Sequence, residues 1–171
     1  HHLYVLNQVP ALRYFLQTTA LPDLRLEGYF SNLRHAVLMF NERINVKFTD
    51  FLQCFAMYCA NTGFIFQENL QEREELLKVA TYLKISNSEN RCMKLIIYHC
   101  YYPVQEILKL LEVKVLEEME LTNKFKKFFY EDYNIEAEYK TKIQGSSTPN
   151  DKTSIMVQSM YEYAPYPRWQ T

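Results

Sequence analysis

The stretch Pro22-Asp-Leu-Arg-Leu-Glu-Gly-Tyr-Phe-Ser-Asn-Leu-Arg-His-Ala-Val-Leu-Met-Phe40 decides the fold. Leu26, Tyr29, Phe30, Leu33, Val37 and Phe40 recur at steps of three and four residues, so one face of a helix collects them, while Arg25, Glu27, Asn32 and Arg34 fall on the other. Pro22-Asp23 is a good helix start. The same period returns on both sides. Pro10, tolerated in a first turn, precedes Leu12, Phe15 and Leu16. Thr49 is suited to cap a helix that turns Leu52, Phe55, Tyr58 and Cys59 inward and stops at Gly63, with Phe64-Ile65-Phe66 as a buried connector.

Further along, acidic residues near Glu68 to Glu72 favour the start of a helix carrying Leu76, Leu77, Ala80 and Leu83 inward. Asn87-Ser88-Glu89-Asn90 breaks it. Met93, Ile96, Ile97 and Cys100 mark another helix, which Pro103 ends near Tyr102. Val104, Ile107, Leu108 and Leu111 restart the pattern, and the stretch from Val113 to Tyr133 is also helical but more charged. Gly145 to Asn150 is a loop, after which Ile155, Val157 and Met160 outline a last short helix. Only three glycines occur, Gly28, Gly63 and Gly145, which leaves few turns and little room for strands. The expectation is an all-α protein, an irregular bundle of about six to eight helices with an extended polyproline-like C-terminal tail. Residues 3–144 form the helical domain, 145–152 a loop, and 153–171 a short helix and aromatic-proline tail.

The 171 residues are 48% hydrophobic and 15% aromatic, enough for one core. Nineteen basic against 20 acidic residues leave a net charge of −1, so no global field attracts nucleic acid or an acidic membrane. No apolar run approaches the ~18 residues needed to span a bilayer. The chain reads as soluble and cytoplasmic, and His1-His2 as the remnant of an affinity tag.

Chemistry-bearing residues are numerous but scattered. Cys54, Cys59, Cys92 and Cys100 sit in apolar periodic segments, as buried reduced thiols do. With His99 they do not give zinc-finger spacings, and His99 and Cys100, adjacent on a helix, diverge by about 100° and so form no nucleophilic pair. His99 is expected to be satisfied or at the surface. Lys124-Phe-Lys-Lys-Phe-Phe129 interleaves cations and rings, as single-strand binders do, yet on a helix Phe125, Phe128 and Phe129 form one stripe and the lysines another. Glu72, Glu74, Glu75, Glu117 and Glu118 read as solvated helical faces. No acid and base pair stands out among them.

The tail, Tyr161-Glu-Tyr-Ala-Pro-Tyr-Pro-Arg-Trp-Gln-Thr171, is different in kind. Pro165 and Pro167 fix their own φ and extend their predecessors, so polyproline II geometry would align Tyr163, Tyr166 and Trp169 in one ridge. Such a ridge needs a surface to dock on, either on the helices earlier in this chain or in a domain after Thr171, where the chain reads as cut. Recognition of the prolines by an SH3-like partner fits poorly, because aromatic rings crowd them.

Tyr161-Glu162 followed by Pro165-Tyr166-Pro167-Arg168-Trp169 resembles the Tyr-Glu-x-x-Pro-Tyr-Pro-Arg-Trp signature of bacterial S-adenosylmethionine-dependent methyltransferases, which often carry tetratricopeptide repeats at their N-terminus. Weaker similarity extends over Leu21 to Glu27, Leu33-Arg34, Ala36 to Leu38, Cys59 to Phe66, Tyr102 to Val104 and Asp151 to Val157. Gly63, the pair Tyr163-Ala164, Gln158 and Met160 depart from the family's pattern. The resemblance implies a non-catalytic helical domain that packs on, or presents substrate to, a class I methyltransferase domain beyond Thr171, with S-adenosylmethionine as the cofactor of the parent protein and none in this chain. It makes Tyr161, Tyr163, Pro165, Tyr166, Pro167, Arg168 and Trp169 interdomain docking residues, Arg168 offering a planar set of donors. The partners implied are the adjoining domain and a protein substrate, with neither nucleic acid nor membrane. No period of about 34 residues is present, so tetratricopeptide repeats would precede His1. The alternative is a self-contained helical interaction module without enzymatic activity.

Overall fold

Caps and stops written into the sequence divide the chain into helices. The computed structural model describes residues 2–19, 23–85, 90–142 and 152–163, and within them it contains ten α-helices and no strand. In chain order these are α1 (His2–Asn7), α2 (Pro10–Thr18), α3 (Leu24–Met39), α4 (Thr49–Asn61), α5 (Leu70–Ile85), α6 (Arg91–His99), α7 (Val104–Leu108), α8 (Val113–Glu117), α9 (Asn123–Lys142) and α10 (Lys152–Tyr163). Two 3-10 turns, Asn41–Arg43 and Val46–Phe48, link α3 to α4. The protein is all-α, an irregular helical bundle, and α1 takes in His2, where no helix is expected from the sequence.

Local chemistry sets several boundaries. Asp23 accepts from the backbone N–H groups of Arg25 and Leu26 at 2.8 and 3.3 Å, and so caps α3 as a short acidic side chain can. Thr49, the expected cap of α4, is instead its first residue and donates its hydroxyl back to the Val46 carbonyl. At the far end of α4, Gly63 adopts φ 74° and Phe64 φ 57°. The Phe64 N–H reaches the Cys59 carbonyl and the Gly63 N–H the Ala60 carbonyl, both at 2.8 Å, which closes a Schellman motif. α5 opens with a reciprocal capping box: Asn69 Oδ1 accepts from the Glu72 N–H, and a Glu72 carboxylate oxygen accepts from the Asn69 N–H, each at 2.9 Å.

The stretch from Val113 to Tyr133, expected to be helical, is shared between two helices, α8 and α9, with a break between them. Gln53, buried in α4, accepts from both the N–H and the hydroxyl of Thr122 through one amide oxygen, at 2.8 and 2.9 Å. Thr122 in turn accepts from the Phe125 N–H at 3.3 Å and so starts α9. A tertiary contact therefore fixes this break, out of reach of local pattern reading.

α4 organises the core. Every residue from Phe51 to Ala60 is buried, as befits a helix that is apolar nearly all round. It packs between α2 and α6, while α5 packs on both α3 and α6. Phe30, Phe51, Phe55, Tyr58, Leu95, Ile96, Ile107, Leu116, Phe125 and Phe129 belong to one continuous buried cluster. Burying each such side chain contributes roughly 1.5–3 kcal/mol. The expected inward faces need four corrections: Tyr29, Phe40, Ile65 and Leu77 are exposed. Each lies at the margin of its stripe or in the connector, where a shift of one residue turns the side chain outward. The chain divides into two compact units, 1–133 and 134–171, at a point within α9.

Candidate functional site

The segment singled out by the sequence begins on α10. That helix runs through Tyr161 to Tyr163, so these residues are helical where extended geometry is expected. The side chains of Tyr161 and Tyr163, and the whole of Pro165, Tyr166, Pro167, Arg168 and Trp169, lie outside the described residues. What the structure does show is the approach to them. Ile155, Met156, Val157 and Met160 are all exposed, Met156 at 71% and Met160 at 58%, on the last short helix that the sequence outlines. Met156 and Met160 are one turn apart and Val157 adjoins them, which gives α10 a continuous apolar side leading into the motif. Ser159, on the same turn as Ile155, returns its hydroxyl to the Ile155 carbonyl at 2.9 Å.

A second concentration of polar side chains lies inside the bundle, where the sequence suggests solvated charges. Arg34 of α3 is 1% exposed and Glu72 of α5 is 3% exposed. One Arg34 terminal nitrogen donates to the Gln67 carbonyl at 3.0 Å and stands 4.0 Å from Glu72. The guanidinium lies over the Tyr101 ring at 3.9 Å and the Phe66 ring at 5.4 Å. Tyr101 donates its hydroxyl to Glu72 at 2.7 Å, and burial, followed by that bond to a carboxylate, drives its phenol pKa far up. His35 Nδ1 is 3.5 Å from the same carboxylate. Two helices, α3 and α5, together with the α4–α5 connector and the turn after α6 thus converge on one buried ion pair. Arg34 Nε has no partner there. Glu72 has all its bonds committed to a helix cap, a phenol and the pair, so the arrangement holds α3, α5 and the end of α6 in register.

A related clamp lies next to it. Lys94 of α6, almost fully buried, donates to Asn41 at 2.5 Å and to Glu42, with its ammonium 4.8 Å from the Tyr82 ring. Asn41 passes the connection to Glu75 at 3.1 Å.

His99, expected to be satisfied or at the surface, is buried and satisfied at only one ring nitrogen. Its Nδ1 meets the Tyr102 carbonyl at 3.0 Å, while Nε2 is buried without a partner. The edges and faces of Phe64, Phe125, Phe128 and Phe129 surround it, with ring centroids 4.9–6.5 Å away. Burial among them lowers its pKa to about 4, against a small opposing effect of the Tyr102 carbonyl. The four cysteines are free. Burial, and next the Cys59 thiol beside it, push the Cys100 thiol up, and burial raises Cys92 to about 11, so both are thiols and not thiolates at neutral pH. Among the described residues no three His, Cys, Asp or Glu side chains gather as a metal site would require. Phe125 and Phe129 are buried, and Lys124 turns to Gln17 and Lys126 to the Glu117 carbonyl, as in an amphipathic helix.

The described residues do not fit S-adenosylmethionine in the Rossmann manner, which needs a strand leading through a glycine turn to a helix N-terminus. Gly28 lies within α3 and Gly63 ends α4, and neither follows a strand. Comparison with protein-family models, with curated proteins and with solved structures finds no match to this chain. The fold therefore defines the class, an all-α helical bundle, and no helix among the described residues is long and apolar enough to cross a membrane.

Proposed function

We propose that this chain is a non-catalytic helical domain that packs on, or presents a protein substrate to, an S-adenosylmethionine-dependent methyltransferase domain lying beyond Thr171. The observation that carries the reading is α10: its large apolar side chains stand in solvent along the helix that runs into the Tyr-Glu-x-x-Pro-Tyr-Pro-Arg-Trp signature. Apolar surface of this kind is stabilised by covering it. Docking of α10, and of Tyr161, Tyr163, Pro165, Tyr166, Pro167, Arg168 and Trp169 after it, onto the adjoining domain would do so. The cofactor belongs to that domain.

A second reading, a self-contained interaction module, is favoured by the large core that 1–133 forms from its own residues. The two readings part in the full-length protein. Met156→Glu combined with Met160→Glu, and separately Trp169→Ala and Arg168→Ala, are expected to loosen association of the two domains in limited proteolysis and to lower methyl transfer. Unchanged proteolysis and unchanged transfer in all of them would overturn the docking role.

A further inference from the structure

α2 packs directly on α4, and where the start of α9 meets them a cleft of about 410 Å³ opens to solvent. That volume falls within the roughly 300–1,000 Å³ of small-molecule sites. Arg13, Tyr14 and Gln17 come from α2, Asp50 and Cys54 from the first turns of α4, and Lys124 from the first turn of α9. Arg13 and Gln17 are one turn apart, as are Asp50 and Cys54, so each helix brings a pair of polar groups to the same opening.

The floor of the cleft is buried and its walls are charged. Cys54, 5% exposed, accepts at sulfur from the Gln17 amide nitrogen, while the Gln17 amide oxygen accepts from Lys124. Burial raises the Cys54 thiol and the Gln17 bond then lowers it; Arg13 and Lys124 lower it further and Asp50 acts against them, so three charges are felt at one sulfur. With burial prevailing, Cys54 stays a thiol and offers no nucleophile. Charges of both signs thus share one opening without neutralising each other. Among the described residues, neither Arg13, Lys124 nor Asp50 has an ion-pair partner within 4.0 Å. Tyr14 stands at the mouth, 69% exposed, and supplies an aromatic wall.

We propose that this cleft binds a small zwitterion of the aromatic amino-acid class, with its carboxylate on Arg13 and Lys124, its ammonium on Asp50 and its ring against Tyr14. A planar guanidinium takes a carboxylate through two parallel bonds. A simple anion would face Asp50 and a simple amine would face two cations, whereas a zwitterion answers both signs. A ligand of about twelve non-hydrogen atoms in an open cleft reaches a Kd on the order of 1 mM. The proposal does not depend on a methyltransferase partner.

The test is titration of the isotope-labelled chain with L-phenylalanine to about 20 mM, well past that Kd, followed in amide spectra. Saturable shifts are expected at Tyr14, Gln17 and Cys54. N-acetylphenylalanine, which lacks the ammonium, and phenylalanine amide, which lacks the carboxylate, should each bind about fivefold more weakly, as loss of one exposed charge pair does. Arg13→Gln and Asp50→Asn should each weaken L-phenylalanine by a similar factor with helicity and Tm unchanged, and Asp50→Asn should bind N-acetylphenylalanine no more weakly than wild type does. No saturable shift at the cleft, equal binding of either blocked derivative, or full affinity in either variant would overturn the proposal.

Discussion

Removing the Arg34 guanidinium would strand a carboxylate inside the bundle. Arg34→Ala is expected to lose about 3–5 kcal/mol in urea denaturation, as loss of one member of a buried pair does. Tyr101→Phe, which deletes only the hydroxyl donor, should lose about 1–3 kcal/mol. A cost for Arg34→Ala no larger than for an exposed residue such as Arg25→Ala would show that the pair carries little. His99 makes a pH prediction. Its folded pKa of about 4 lies below the ordinary ~6.5 of an exposed imidazole, so the unfolded chain binds the extra proton first. Its contribution is complete above pH 6.5 and is lost as pH falls through 6.5 towards 4, about 3 kcal/mol in all. Denaturation at pH 7, 6 and 5 should show that decline, and His99→Leu should flatten it. At this scale the sequence is a poor guide. Arg34, Glu72 and Lys94 have the residue types of a solvated surface, and only partners 29 to 53 residues distant in sequence, such as Tyr101 for Glu72 and Asn41 for Lys94, explain why they are buried.

Single helices are more legible, because their signals are local. The Asp23 cap, the Gly63 stop and the Pro103 restart are all readable in sequence and all present. Thr49 fails as a cap because the 3-10 turn before it supplies the first carbonyl. Two glycines test the backbone argument in opposite directions. Gly28 is exposed in the middle of α3 with nothing within 4 Å of an added Cβ, so Gly28→Ala should stabilise by about 0.5–1 kcal/mol. Gly63, at φ 74°, should lose about 1 kcal/mol as alanine. Thermal unfolding of the two variants should move Tm to opposite sides of wild type. The α8–α9 break escapes local reading because Gln53 and Thr122, which create it, are 69 residues apart.

For the whole molecule, the fold class follows from few glycines and a repeated helical period, both global properties that survive local error. The proposed function rests on a short motif, most of which lies outside the described residues. Because the buried cluster, among the described residues, ends before Tyr133, ending the chain after Lys142 is expected to leave Tm within about 3 °C of the longer chain; a larger fall would show that residues after 142 help to hold the bundle. The aromatic surroundings of His99 have one more use. Rings from the α4–α5 connector and from α9 lie around one imidazole, and their circulating π-electrons displace the resonances of its carbon-bound protons from random-coil positions. A single pair of proton signals in a spectrum thus reports whether the two distant stretches of chain are still seated together, with no label attached.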